Sequence, residues 1–109
     1  MQTKWFRLKR QGKVVAACYI DHDDRDNTYY IDGVQVNTRY RGRGLAVKVL
    51  RQAVRWADTR QLTLQLVAEP VESDSDGKRL ITLYKKVGFK VKYRVHSEAV
   101  VMERAAKRR

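Results

Sequence analysis

The segment Arg41-Gly42-Arg43-Gly44 has the residue types of a turn that binds phosphate groups. It lies between an extended apolar segment and a helical pattern that begins at Leu45. The first amides of a helix have no intrahelical acceptor and carry the positive end of the macrodipole. The glycines remove Cβ atoms that would keep an anion from the backbone, and the arginines add charge and forked donors. The turn is therefore predicted to bind a pyrophosphate.

Hydrophobic periodicity predicts two helices around this turn. Apolar residues recur at helical spacing over 44–58, and a second helix is predicted over 78–87. Gly88 follows the second helix, in the position where glycine commonly ends one. Cationic residues are frequent at both the turn and the second helix.

Six extended segments are predicted from alternating or continuous apolar residues. They lie at 4–10, 14–20, 29–37, 61–67, 90–95 and 99–104, and a polar loop is predicted at 21–27. Gly33, in the middle of the third segment, predicts a bulge or a close backbone approach. The element order predicts an α/β (α+β) fold with a mixed, mostly antiparallel sheet and two covering helices.

Length and composition indicate one small globular domain over residues 1–109. The chain is 43% hydrophobic, has one proline, and contains no apolar run approaching the ~20 residues that span a bilayer. No secretory signal is visible at the N-terminus, and the single cysteine, Cys18, excludes an internal disulfide. These features predict a cytoplasmic protein, with Cys18 buried in the core. The net charge of +12 favours an acidic partner such as a phosphate-rich cofactor, a nucleic acid or an acidic protein face.

Two motifs together resemble those of the GNAT acetyltransferases. The segment Val36-x4-Arg41-Gly42-Arg43-Gly44-Leu45-Ala46 resembles motif A, whose core R/Q-x-x-G-x-G/A corresponds to Arg41, Gly44 and Ala46. The later segment Leu83-Tyr84-Lys85-Lys86-Val87-Gly88-Phe89 resembles the second signature, an L-Y-x-x-x-G-F run at a helix end. A lone glycine-rich turn would be weak evidence, whereas two motifs in this order are specific. The resemblance extends over about residues 14–102.

The resemblance implies an N-acetyltransferase that moves an acetyl group from acetyl-CoA to a primary amine. The backbone amides from Arg41 to Ala46 would hold the pyrophosphate, and the third strand would pair with the pantetheine arm. The amine would attack the thioester directly in a ternary complex. A protein lysine or amino terminus is the preferred acceptor, and a small amine is the alternative. The residues implied in cofactor binding are Val34, Val36, Arg41, Gly42, Arg43, Gly44, Leu45 and Ala46.

The candidate catalytic residues are Tyr84, implied by the resemblance, and Asp32. Tyr30 occupies the strand position where some relatives carry a catalytic glutamate, and Asp32 lies two residues further, on the same strand face by the period of two. Tyr84 matches the tyrosine that often protonates the departing thiolate, and it also suits a core position beside Phe89. A phenol with a pKa of ~10 is protonated at neutral pH and can donate to a thiolate of pKa ~8.5. Asp32, Glu69 and Glu72 are candidate general bases or simply solvated acids, and a water chain can replace them. The base therefore stays unassigned.

The chain also departs from the family pattern. Gly77 stands where the family often has an asparagine, so Asp76 or Ser75 is expected to cap the second helix. The helices that usually lie between the first two strands are missing. An open cleft is therefore expected, suited to an amine on a macromolecule or completed by the partner in a homodimer.

Three other interpretations stay open or are set aside. The run Asp21-His22-Asp23-Asp24 is interpreted as a solvated loop, and no metal site is predicted. A non-catalytic nucleic-acid-binding module would use the basic residues for phosphate and exposed Tyr29, Tyr30 and Tyr40 for stacking. It is not favoured, because no nucleic-acid-reading motif is present and the cofactor explains the charge at 42–46. The third interpretation is a catalytically inactive GNAT-like protein that binds a partner.

Overall fold

Six strands and two α-helices are formed by the residues that a computed structural model describes, 3–69, 77–96 and 99–106. The elements are β1 (Thr3–Arg10), β2 (Lys13–Asp23), β3 (Thr28–Val36), α1 (Leu45–Thr59), β4 (Leu64–Ala68), α2 (Gly77–Lys86), β5 (Lys90–His96) and β6 (Ala99–Arg104). A short 3₁₀ helix, Thr38–Tyr40, precedes α1. The strand order is β1-β2-β3-β4-β6-β5, and β3 and β4 are parallel while the other neighbours are antiparallel. The predicted mixed sheet with two helices is confirmed.

Two predicted element boundaries were wrong. The β2 strand continues to Asp23, because residues 21–23 pair with 28–30 of β3, so the acidic loop shrinks to a turn at 24–27. The strand predicted over 61–67 begins only at Leu64. The amides of Arg60, Gln61 and Leu62 donate to carbonyls at positions 57 and 58, which extends the end of α1 instead. Gln61 adopts a φ of 56°, a left-handed conformation that ends a helix.

Both helices pack against the sheet within one buried cluster. The apolar face of α1 that the periodicity predicted is the face that is buried. Arg104 of β6 connects the ends of the two helices: its Nε donates to the Val87 carbonyl at 2.9 Å, and its Nη2 donates to the Asp58 carboxylate at 2.9 Å. This contact fixes the C-terminal ends of α1 and α2 to the same strand. Neither helix is long and apolar enough to cross a membrane, as far as the described residues extend.

Cys18 lies in the core, as predicted, with no exposed surface. Its thiol donates to the Val49 carbonyl at 3.8 Å, and burial raises the pKa of the thiol to about 12. Because the thiolate is the reactive form, a raised pKa leaves almost none of it at neutral pH. We expect iodoacetamide at neutral pH to leave Cys18 of the folded protein unmodified, and to modify it fully in denaturant, as measured by intact mass. Rapid modification of the folded protein would contradict this burial.

Candidate active site

A separation of two parallel strands creates the main cavity. The β3 and β4 strands pair only at Tyr29 with Leu64 and at Tyr30 with Gln65. Beyond these pairs β3 continues along β2 and β4 continues along β6. A cavity of about 800 Å³ opens beside the stretch of β3 that has no partner on its β4 side. The start of α1 and the inner face of α2 complete its wall.

Most of the residues predicted to bind the cofactor line this cavity. Arg43 is the exception among them, and Asp32, predicted as a catalytic residue, does not line the cavity either. The cavity also has wall residues that were not among the predicted site residues: Gln35, Tyr40, Val47, Leu80, Leu83 and Lys86. The helical periodicity of α2 could have indicated Leu80 and Leu83, because they share a face with Tyr84. The predicted residues in the wall are Val34, Val36, Arg41, Gly42, Gly44, Leu45, Ala46 and Tyr84.

The bulge expected at Gly33 is present. Ala17 of β2 lies opposite Gln35, and Tyr19 lies opposite Asp32, so one β2 residue faces two residues of β3. Gly33 has a φ of +63°, and its amide donates to the Asp32 carboxylate at 2.7 Å. The bulge turns the following part of β3, Val34 to Val36, along the cavity wall.

Replacing Gly33 with alanine is expected to destabilise the fold strongly. A Cβ atom at this position would meet the Tyr19 ring, within 2.8 Å of Cδ1, and the left-handed φ would be strained. We expect a loss of about 2–4 kcal/mol in the free energy of unfolding, from backbone strain plus overpacking. Urea unfolding measures it. Gly12→Ala is the matched control, because Gly12 has a φ of +78° and an alanine Cβ there would meet no atom within 4 Å. Equal losses in both variants would exclude the Tyr19 contact as a cause.

Unsatisfied backbone amides line the turn before α1. Gly44 adopts a φ of +74° and caps the helix, whose first hydrogen bond runs from the Lys48 amide to the Gly44 carbonyl at 3.2 Å. Within the described part of the chain, the amides of residues 42–47 donate to no protein acceptor. Cβ atoms placed on Gly42 and Gly44 would meet nothing within 4 Å, so the space beside the turn is open. This arrangement suits a phosphate-rich group.

The two arginines of the turn have partners within the protein. The Arg41 amide donates to the Thr38 carbonyl at 3.5 Å, and its Nε donates to the Val36 carbonyl at 3.4 Å. The Arg41 amide therefore does not belong to the free set, which runs from Gly42 to Val47 instead of from Arg41 to Ala46. The Arg43 guanidinium lies over the Tyr40 ring, 5.3 Å from its centroid. Both side chains remain exposed at the mouth of the turn.

Tyr84 faces the cavity from α2 and is 8% exposed. Its ring contacts Phe89 edge-to-face at 6.2 Å, which is the core contact expected from the sequence. Burial, with a smaller contribution from the Asp32 charge, raises the pKa of the phenol to about 12. The described residues supply no hydrogen-bond partner for its hydroxyl. Tyr84 is therefore both a packed core residue and a protonated donor at the cavity wall.

The candidate bases differ in their surroundings. Asp32 is exposed and accepts a hydrogen bond from the Tyr19 hydroxyl at 3.3 Å. The negative charge of Asp32 is the main cause that raises the pKa of Tyr19, and the hydrogen bond adds to it. Its charge also reaches Tyr84, so it lies near the cavity without lining it. Glu69 is exposed and lies 3.8 Å from the His96 ring. Glu72, Ser75 and Asp76 lie outside the described residues.

A sequence profile that matches most of the chain identifies its family. The profile described as "Acetyltransferase (GNAT) family" matches residues 2–89, which include the turn at 41–46 and the Tyr84 segment. The chain is a member of the GNAT acetyltransferase family. A comparison with curated proteins gave no match.

Solved GNAT structures share the fold at low sequence identity. An acyl-CoA N-acyltransferase from Pseudomonas aeruginosa is 20% identical with a TM-score of 0.75, covering 96% of this chain and 70% of that one. The ribosomal-protein-S18-alanine N-acetyltransferase from Escherichia coli is 20% identical with a TM-score of 0.74, covering 98% and 71%. A GNAT family acetyltransferase from Elizabethkingia anophelis, solved with acetyl-CoA bound, is 14% identical with a TM-score of 0.69, covering 94% and 76%.

Proposed function

We propose that this GNAT protein transfers an acetyl group from acetyl-CoA to a primary amine. The observation that carries the proposal is the row of free amides from Gly42 to Val47 at the edge of the cavity. A pyrophosphate bound there would receive backbone donors at the positive end of α1. Arg41 and Arg43, exposed beside the turn, add positive charge for the same group. The bulged segment from Val34 to Val36 offers strand backbone to the pantetheine arm.

The transfer itself needs a proton at the departing sulfur. The amine nitrogen forms a bond to the acetyl carbon, the carbon–sulfur bond breaks, and the sulfur takes a proton. Tyr84 is the proposed donor, because it faces the cavity and its raised pKa keeps the phenol protonated throughout the neutral range. The proton that the amine loses goes to solvent or to Asp32. Among the candidate bases, Asp32 is the one whose negative charge helps to raise the pKa of Tyr84.

The proposed acceptor is a lysine or amino terminus on a protein. The β1 and β2 strands are joined by a tight turn at Gln11 and Gly12, so no helices lie between them to wall off the site. Asp32 is exposed beside the bulge and would attract a cationic amine. A homodimer partner could complete the wall instead, and then a small amine would be the substrate.

Two measurements test this proposal. Calorimetry with coenzyme A tests binding, and mass spectrometry of a cell extract incubated with the protein and acetyl-CoA identifies acetylated products. We expect binding, together with new acetyl groups on a restricted set of protein amines. If the protein binds coenzyme A but acetylates only small amines, the acceptor is a small amine and not a protein. No binding of coenzyme A at millimolar concentration, with no heat at two different temperatures, would overturn the proposal.

A further inference from the structure

The solvent face of α1 carries a row of cations. Lys48, Arg51 and Arg55 are exposed and follow one another at spacings of three and four residues, so they lie on one side of the helix. The side chains that α1 buries lie on the opposite side. With a rise of 1.5 Å per residue, the row from Lys48 to Arg55 is about 10 Å long. We call these three residues the α1 basic row.

No acidic side chain among the described residues neutralises the α1 basic row. Within residues 3–69, 77–96 and 99–106, none of the three cations forms an ion pair. Asp58 is the one acidic residue of α1, and its carboxylate is bound by the Arg104 guanidinium on the sheet side. Like charges three and four residues apart destabilise a helix. The row therefore has a cost to folding that no described contact offsets.

The acetyl-CoA site does not explain these cations either. Lys48, Arg51 and Arg55 are absent from the wall of the cavity, whereas Arg41 and Arg43 flank the amide turn at its mouth. The row starts one helical turn beyond Gly44 and continues away from the turn along the helix. The cofactor site therefore leaves the charge of these three residues unaccounted for.

We propose that the α1 basic row binds the phosphate backbone of a nucleic acid. A duplex carries one charge per about 1.7 Å of its axis, so about six phosphates lie along the 10 Å length of the row. Arginine forks suit phosphate oxygens. The exposed residues of α1 are Lys48, Arg51, Arg55 and Thr59, without an apolar side chain, whereas protein–protein contacts centre on apolar or aromatic residues. The charge and polarity of the row therefore favour nucleic acid over an acidic protein.

The contact proposed here is with the phosphate backbone of the nucleic acid and does not include stacking on its bases. Tyr29, Tyr30 and Tyr40, expected to be exposed and to stack on bases, are half-buried. Tyr29 stacks on the His22 ring at 4.2 Å, and Tyr40 lies beneath Arg43. Binding should therefore be independent of sequence and strongly dependent on salt.

The test is fluorescence anisotropy of a labelled DNA duplex of about 20 base pairs, titrated over a range of salt concentrations. The test variant is Lys48→Gln/Arg51→Gln/Arg55→Gln. The matched control, Lys9→Gln/Arg10→Gln/Lys13→Gln, removes the same charge from exposed positions of the β1–β2 hairpin. We expect the test variant to bind about tenfold more weakly at about 50 mM salt, with a slope of log K against log salt that is smaller by about 2–3. The binding affinity of the control variant and its slope of log K against log salt should decrease much less.

Two further measurements separate the possible outcomes. The test variant should unfold at the same temperature as the wild type or slightly above it, because removing the three charges relieves their mutual repulsion. Its coenzyme A binding should match that of the wild type, because the three residues do not line the cavity. If the triple variant does not fold, the single variant Arg51→Gln replaces it, with an expected decrease in slope of about 1. Equal losses in the test and control variants, no binding of the duplex, or equally tight binding of poly-glutamate would each overturn the proposal.

Discussion

Tyr84→Phe is expected to lower kcat for acetyl transfer by about 10²–10⁴-fold, the usual contribution of a positioned general acid. The ring would keep its contact with Phe89, so the fold and the cavity wall should persist. The lost hydroxyl is the proposed proton source for the departing thiolate. Acetyl-CoA affinity should change little, because the proposed pyrophosphate-binding amides lie at the other wall of the cavity. Thiol release in steady-state assays measures kcat, and calorimetry measures the affinity.

The pH profile adds an independent check on Tyr84. Burial raises the pKa of the phenol to about 12, so its protonated form predominates below that pH. The contribution of Tyr84 should therefore stay constant from neutral pH to about pH 10 and decline only at higher pH. Tyr93→Phe is the control, because it removes the same hydroxyl from a β5 position that is 54% exposed. An unchanged kcat in Tyr84→Phe would leave the tyrosine with a packing role only.

Gly44→Ala is expected to weaken acetyl-CoA binding by about tenfold or more, equivalent to at least ~1.4 kcal/mol. The added methyl group would project into the open space beside the free amides, where the pyrophosphate would approach. The φ of +74° would also be strained in alanine and would tend to shift the amides at the start of α1. Calorimetric titration with acetyl-CoA measures the loss.

Gly12→Ala separates the two effects at Gly44. Gly12 has a similar φ of +78° and equally open surroundings, but it lies in the β1–β2 turn. Both variants should lose about 1–2 kcal/mol of stability from backbone strain, and only Gly44→Ala should lose affinity. Comparable affinity losses in the two variants would show that the amide turn is not the binding site.

Local signals predicted much of the fold. The apolar stripe of α1, the glycine after α2 and the glycine within β3 each act over a few residues, so their patterns can be read directly from the chain. Gly88 has a φ of +99°, as expected of a residue that ends a helix. Prediction failed where two local signals compete. Leu62 belongs to the alternating apolar pattern that predicts a strand, yet its amide donates to the Ala57 carbonyl and completes the hydrogen bonding at the end of α1.

The sequence by itself determined the glycine-rich turn, the two motifs and the family, because each depends on residue types at fixed short spacings. The tertiary structure decided which of those groups are free to contact a ligand. It showed that the Arg41 amide is already bonded while the next six are free, and that Tyr84 meets the same cavity from a distant helix. It also showed that Asp58 is bound to Arg104, which leaves the α1 basic row without a described counterion. The physical reason is that hydrogen bonding, burial and charge pairing join residues far apart in the chain, and only the folded sheet brings those residues together.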